Sequence, residues 1–242
     1  MSQPLLEARE LTAHYGATRA LDRVSIALDA ARVTCVMGEN GAGKSTLIRI
    51  LSGVARPSSG QIFFAGDAVR FASPRAARNA GIMTVYQDLA LIPLLSVWRN
   101  FVLGAEPVRG RWLRRLDAKA ARAQTEAQLA QFDLRIDVER PVALLSGGER
   151  QAVAIARAVH GGARVLILDE PTAALAVVQA ERVLATIAAA RERGIAVLLV
   201  THNPLHAVRA ADRILILKQG RLTAELASGH VNVAELTTLI SG

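Results

Sequence analysis

The stretch that most constrains this chain lies between residues 32 and 52. Residues 32–37 form a short apolar run suited to a buried strand. Gly38-Glu39-Asn40-Gly41-Ala42-Gly43-Lys44-Ser45 follows at once, and residues 44–52 then carry apolar side chains at helical spacing. Strand, loop and helix in that order fit the pattern GxxxxGK[ST]. The composition has a physical reason. Glycines let successive backbone N–H groups converge on phosphate oxygens, and the helix N-terminus adds partial positive charge at the same point. Lys44 suits the β- and γ-phosphates, and the Ser45 hydroxyl suits Mg²⁺. A glycine-rich turn followed by an incidental lysine would match in about one chain of this length in a hundred. A nucleotide-binding α/β core is therefore expected, with Gly38, Glu39, Asn40, Gly41, Ala42, Gly43, Lys44, Ser45 and Thr46 around the nucleotide.

The rest of the chain alternates in the same manner. Residues 61–65, 82–86, 165–168, 196–201 and 214–217 are expected strands. Residues 117–132, and a long stretch within 173–193, are expected helices. No strand is expected between residues 89 and 161. One domain over 1–242 is thus read as a catalytic α/β core (1–88 and 162–242) with an inserted helical lobe (89–161).

Composition narrows the classes. A 51% hydrophobic and 21% charged chain is not disordered. No uninterrupted apolar run of about 18 residues is present, so no bilayer span is expected. Met1-Ser2-Gln3-Pro4 lacks the basic-then-apolar pattern of a leader, and Cys35 is the sole cysteine. A soluble, intracellular protein without a disulfide or a zinc cluster is expected. The net charge of +8 rests on 26 Arg and 3 Lys, and with 44 Ala it points mainly to a base-composition bias in the genome. The arginines are scattered apart from Arg109, Arg111, Arg114 and Arg115, which read as a solvated face. A net positive chain can favour nucleic acid, anionic lipid headgroups or an acidic partner.

Two further motifs carry chemistry. Residues 165–168 lead into Asp169 and Glu170, an apolar strand ending in two carboxylates at the edge where ligands of open α/β sheets collect. Asp169 suits Mg²⁺, held through water, and Glu170 suits a base that orients or deprotonates an attacking water. Leu145-Ser146-Gly147-Gly148-Glu149 opens a helix, with Ser146 and Glu149 spaced as a capping box. The plain reading is a capped helix. The paired glycines also bare backbone N–H groups, which makes a second anion site. A GTPase is excluded, because none of the five Asn residues is followed by Lys as a guanine-reading NKxD motif requires.

The LSGGE run, set 23 residues before Asp169 and joined to it by RQAVAIARAVHGGARVLILDEPT, resembles the signature of ATP-binding cassette ATPases. Tyr15, Gln87 and His202 fall in that family's order, and the likeness runs from about residue 5 to residue 226. It implies a P-loop NTPase core with a mainly parallel sheet, an N-terminal antiparallel β portion and a helical lobe. It also implies ATP and Mg²⁺ as ligands, with Tyr15 stacking on adenine. Gln87 would sense Mg²⁺ and the attacking water, and His202 would contact the γ-phosphate. Ser146, Gly147 and Gly148 would complete the site of a second copy, arranged head to tail. The family often has Asp where this chain has Ala176, which bears on coupling between the two sites.

GENGAGKSTLIRILSGV, GIMTVYQDLALIPLLSVWRNFVLG and EPTAAL look like the ATPase subunits of bacterial importers for ribose, xylose, fructose and similar sugars. That likeness implies membrane-spanning permease subunits, a separate sugar-binding protein and a place on the cytoplasmic face of the plasma membrane. Residues 89–103 are read equally as a groove for a permease helix or as ordinary core. The other reading is a soluble cassette ATPase acting on nucleic acid or ribosomes. Such proteins carry long coiled coils, zinc modules or two fused cassettes, which 242 residues with one cysteine do not fit, so no nucleic-acid partner is expected.

Overall fold

The computed structural model describes residues 3–110 and 115–241. In chain order its elements begin with β1 (Leu6–Tyr15), β2 (Thr18–Leu28), β3 (Val33–Met37), α1 (Lys44–Leu51), β4 (Ser59–Phe64) and β5 (Asp67–Val69). Then come α2 (Pro74–Asn79), β6 (Ile82–Val85), α3 (Val97–Val102), β7 (Val108–Arg109), β8 (Arg115–Leu116), α4 (Ala118–Ala130) and α5 (Gly147–His160). The last are β9 (Val165–Asp169), α6 (Val177–Glu192), β10 (Ala196–Val200), α7 (Pro204–Ala210), β11 (Arg213–Lys218), β12 (Arg221–Ala227) and α8 (Val233–Ser241).

Six strands form the central sheet in the order β12-β11-β3-β10-β9-β6. All neighbours in it are parallel except β12, which runs antiparallel at the edge. A second, antiparallel sheet has the order β2-β1-β4-β5. The central strands are apolar throughout because both faces are covered. Val33, Cys35 and Met37 of β3 join the α3–α8 helices on one face, while Val36 joins α1 and the antiparallel sheet on the other. In β9, Leu166 and Leu168 face the first cluster and Val165 and Ile167 the second. Each such side chain contributes about 1.5–3 kcal/mol by leaving water. Burial pushes the Cys35 thiol well above its usual value, so it stays protonated and behaves as a small apolar group.

Register brings the strand ends together. Val200 pairs with Val36 and with Asp169, and Val85 pairs with Leu168. The loops after β3, β6, β9 and β10 therefore emerge along one edge, which is where Gly38, Gln87, Glu170 and His202 sit.

The expectation of no strand between residues 89 and 161 is corrected by the β7–β8 hairpin. Each strand has two residues, too few for a period-2 pattern to register. Arg109 and Arg115 pair across it and both are exposed; Arg111 and Arg114 lie outside the described residues. Among the described residues no helix is long and apolar enough to cross a membrane.

Candidate nucleotide site

The loop after β3 is shaped by contacts that only glycine tolerates at two points. A Cβ at Gly38 would lie 2.1 Å from the Leu217 carbonyl oxygen, and one at Gly43 would lie 2.5 Å from that of Ala20. Gly43 also has φ near 109°, and it caps α1 with no side-chain hydrogen bond. The first turn of α1 holds no acid, so its N–H groups are free for an anion. Lys44 is buried, and its Nζ donates to the carbonyls of Gly38 at 2.6 Å and Glu39 at 2.9 Å. Burial pulls its pKa below the usual value, while the charges of Glu170 and Asp169 act against that shift. Ser45, Glu39, Asn40 and Gly41 are exposed, Thr46 is half-buried, and Ala42 packs inward.

Across the edge, β9 ends at Asp169. Burial raises the carboxyl pKa of Asp169, the neighbouring Glu170 raises it further, and Lys44 lowers it. Glu170 adopts φ of 50°, a left-handed conformation that costs a non-glycine residue about 1–3 kcal/mol and clusters at functional sites. Backbone and side chain are both held: its N–H donates to the Val200 carbonyl at 2.9 Å, its carbonyl accepts from Ala173 N–H at 3.1 Å, and its Oε2 lies 2.9 Å from His202 Nδ1. The His202 ring is 66% exposed and its backbone N–H also reaches that carboxylate, at 3.4 Å. Lys44, Asp169, Glu170 and His202 thus form one polar group, and exposed Gln87 lies two residues beyond β6 on the same edge.

Ser146 caps α5 as a true capping box: Glu149 N–H donates to its Oγ at 3.3 Å, and its own N–H donates to Glu149 Oε2 at 2.7 Å. The glycines that follow have a packing role that the sequence did not reveal. A Cβ at Gly147 would stand 2.7 Å from Leu175 Cδ2, and one at Gly148 would stand 2.9 Å from Gln179 Cβ. They let α6 approach α5 within the same chain. Ala176 caps α6 without a side-chain bond, where Asp would supply one. Tyr15 closes the β1–β2 hairpin and is 47% exposed.

Residues 21–173 match the family model described as ABC transporter. The chain belongs to the ABC transporter family. It is an ATPase of that family, and its sheets have the arrangement expected above. It is 42% identical to the xylose/arabinose import ATP-binding protein XylG of Sulfolobus acidocaldarius over 238 residues, 98% of this chain and 94% of that protein. Identity to the fructose import ATP-binding protein FrcA of Rhizobium meliloti is 41% over 246 residues, covering 99% and 95%. The dimeric structure of MJ0796, a bacterial ABC transporter cassette, superimposes with a TM-score of 0.76 at 26% identity, over 92% of this chain and 98% of that one.

Several polar residues around this ABC site were not singled out from the sequence. Thr172 Oγ1 lies 2.8 Å from His206 Nδ1, and Asn203 caps α7 by accepting from the N–H groups of Leu205 and His206. The pair Asn203-Pro204 was the available signal, an N-cap followed by proline at N1. Fully buried Asn100 accepts from Ile92 N–H at 2.7 Å and donates to the carbonyls of Ile92, Leu95 and Ser96. That network fixes the loop before α3. Residues 89–103 accordingly divide: Val97, Trp98, Phe101 and Val102 are core, while Ile92 is 42% and Leu94 87% exposed.

Proposed function

We propose that this ATPase powers an importer for a simple sugar. The observation that carries the reading is near full-length similarity to two single-cassette sugar import ATP-binding proteins, at 42% and 41% identity. In this reading Gly38–Thr46 cradle the phosphates, Lys44 neutralises the β- and γ-oxygens, and Tyr15 stacks on adenine. The residues fit Mg²⁺ as well: a hydroxyl at Ser45, an amide at Gln87 and a carboxylate at Asp169 are oxygen donors of the hard kind Mg²⁺ takes. When bound, Mg²⁺ would screen charge on the transferring phosphoryl group. Glu170 takes the proton of the attacking water, and its bond to His202 keeps the carboxylate oriented while the imidazole reaches the γ-phosphate.

A second copy faces the first head to tail, with Ser146, Gly147 and Gly148 directed at the γ-phosphate of the other chain. Ser146 caps the Glu149 N–H, which leaves the N–H groups of Gly147 and Gly148 at the start of α5 for that task. Permease subunits meet the lobe at the exposed apolar side chains of Ile92, Leu94 and Leu144, the last 64% exposed. Ala143 N–H donates to the Pro93 carbonyl at 2.9 Å, which joins these two segments into one surface. A separate binding protein selects the sugar, and the ATPase works from the cytoplasmic face of the membrane. Replacing the chromosomal copy with Glu170→Gln and measuring uptake of labelled pentoses and fructose tests this. Loss of uptake of one sugar is expected; normal uptake of all of them refutes it.

A further inference from the structure

Three segments meet at the flank of the phosphate loop. Gly220, in the turn between β11 and β12, donates its N–H to the Ala42 carbonyl at 2.9 Å. Its own carbonyl accepts from Asp22 N–H at 2.8 Å. Gly220 has φ of 78°, and a Cβ there would lie 2.8 Å from Ala20 O, the same oxygen that abuts Gly43. Loop, turn and β2 thus touch backbone to backbone, with no room for side chains between them.

One side-chain tie spans this junction. Arg221 donates to Asp22 Oδ2 through Nε at 2.8 Å, and its Nη2 lies 2.5 Å from the same oxygen. Arg19 Nη1 stands 3.1 Å from that oxygen, and Arg23 Nε stands 3.7 Å from Oδ1. The Asp22 side chain is only 7% exposed. Burial alone would raise its carboxyl pKa, but the bonds from Arg221 and Arg19 outweigh it and hold the group below the usual carboxylate range. Farther along β2, Arg213 Nη2 donates to the Ala27 carbonyl, so β12 and β11 fasten that strand at its middle and near its C-terminal end. The β1–β2 sheet and the central sheet are otherwise separate sheets, and β1 ends at Tyr15.

We infer that Asp22 and Arg221 are positioning residues that set the Tyr15 hairpin at a fixed distance from the phosphate loop. The inference rests on the proposed stacking of Tyr15 on adenine. The loop grips the triphosphate through its own backbone, whereas the hairpin grips the base, and the ion pair ties the two grips together. Binding groups must be held within about 0.5 Å of their working geometry, so a shift between the two grips weakens the contacts they share.

The experiment compares binding of ATP with binding of inorganic tripolyphosphate, which lacks the base, alongside KM and kcat for ATP hydrolysis. Arg221→Ala is the first variant: its side chain is 63% exposed, and circular dichroism of the variant should match wild type. Asp22→Asn, which keeps the shape and loses the charge, is the second. Both are expected to weaken ATP binding by about tenfold and raise KM to match, with kcat and tripolyphosphate affinity unchanged. Tyr15→Ala should give a loss of the same size, and combining it with Arg221→Ala should add little. Unchanged ATP affinity in Arg221→Ala and Asp22→Asn, with a loss in Tyr15→Ala, overturns the tie alone. No loss in Tyr15→Ala overturns the adenine reading and the tie with it. Equal loss of both ligands in Arg221→Ala means the loop itself has moved and also overturns the inference.

Discussion

Glu170→Gln should separate nucleotide binding from turnover. The substitution is nearly isosteric, and an amide oxygen can still accept from His202 Nδ1, now 2.9 Å away, and from the His202 backbone N–H at 3.4 Å. Glutamine faces the same left-handed backbone as glutamate, with φ of 50°, so folding stability should change by less than about 0.5 kcal/mol. The element removed is the proposed base. General-base assistance contributes about 10²–10⁴-fold, or about 2.7–5.5 kcal/mol of barrier. ATP affinity should not fall, because the variant removes a negative charge that stands beside Asp169, on the edge proposed to hold the phosphates. Single-turnover hydrolysis of labelled ATP at measured occupancy provides the assay. Turnover within about threefold of wild type would remove Glu170 from the role of base.

Gly43→Ala should destabilise the fold by about 1–3 kcal/mol in chemical denaturation, since its Cβ would meet the Ala20 carbonyl at 2.5 Å with φ at 109°. Gly41→Ala, with nothing within 4 Å, should lose less. Burial holds the His160 imidazole below its ordinary value of 6.5, so the unfolded chain takes up that proton first as the pH falls. The stability held by the neutral ring is complete above that value and is lost as the pH drops through the lowered native one. His160→Gln should therefore flatten the melting-temperature profile as the pH falls below about 6.5; an unchanged profile refutes the linkage. Calorimetry on the isolated protein should show ATP binding and no pentose or hexose binding, and micromolar sugar affinity would contradict the assigned division of labour.

The parts legible in the sequence were those set by local chemistry. β3, β9 and β10 stand out because burial on both faces makes them continuously apolar, and the phosphate loop follows directly on the first of them. β1 and β2 were expected only as an antiparallel portion without bounds. Their alternation is broken by register shifts, with Glu10 and Arg23 both at φ of 51°, so no clean period of two survives. α2 and α7 are too short for a helical period, although Ser73-Pro74 and Asn203-Pro204 mark their starts. Contacts between distant segments could not be read at all. Nothing in the run from Leu145 to Glu149 says that Gly148 packs on Gln179, and nothing near Asp22 points to Arg221. That packing has a practical consequence: Gly148→Asp would disturb its own chain before it met a partner.

Ser146→Asp avoids that difficulty and tests the paired site most directly. Aspartate caps a helix as well as serine does, so α5 should keep its start, while the added charge would face the γ-phosphate of the second chain. The measurement is light scattering of Glu170→Gln with and without ATP, compared with the Ser146→Asp/Glu170→Gln double variant. The account predicts that ATP doubles the mass of Glu170→Gln and leaves the double variant monomeric, with ATP still bound to each chain. Equal ATP-driven doubling in both proteins would show that Ser146 and its glycines do not act across the interface, and would contradict the account.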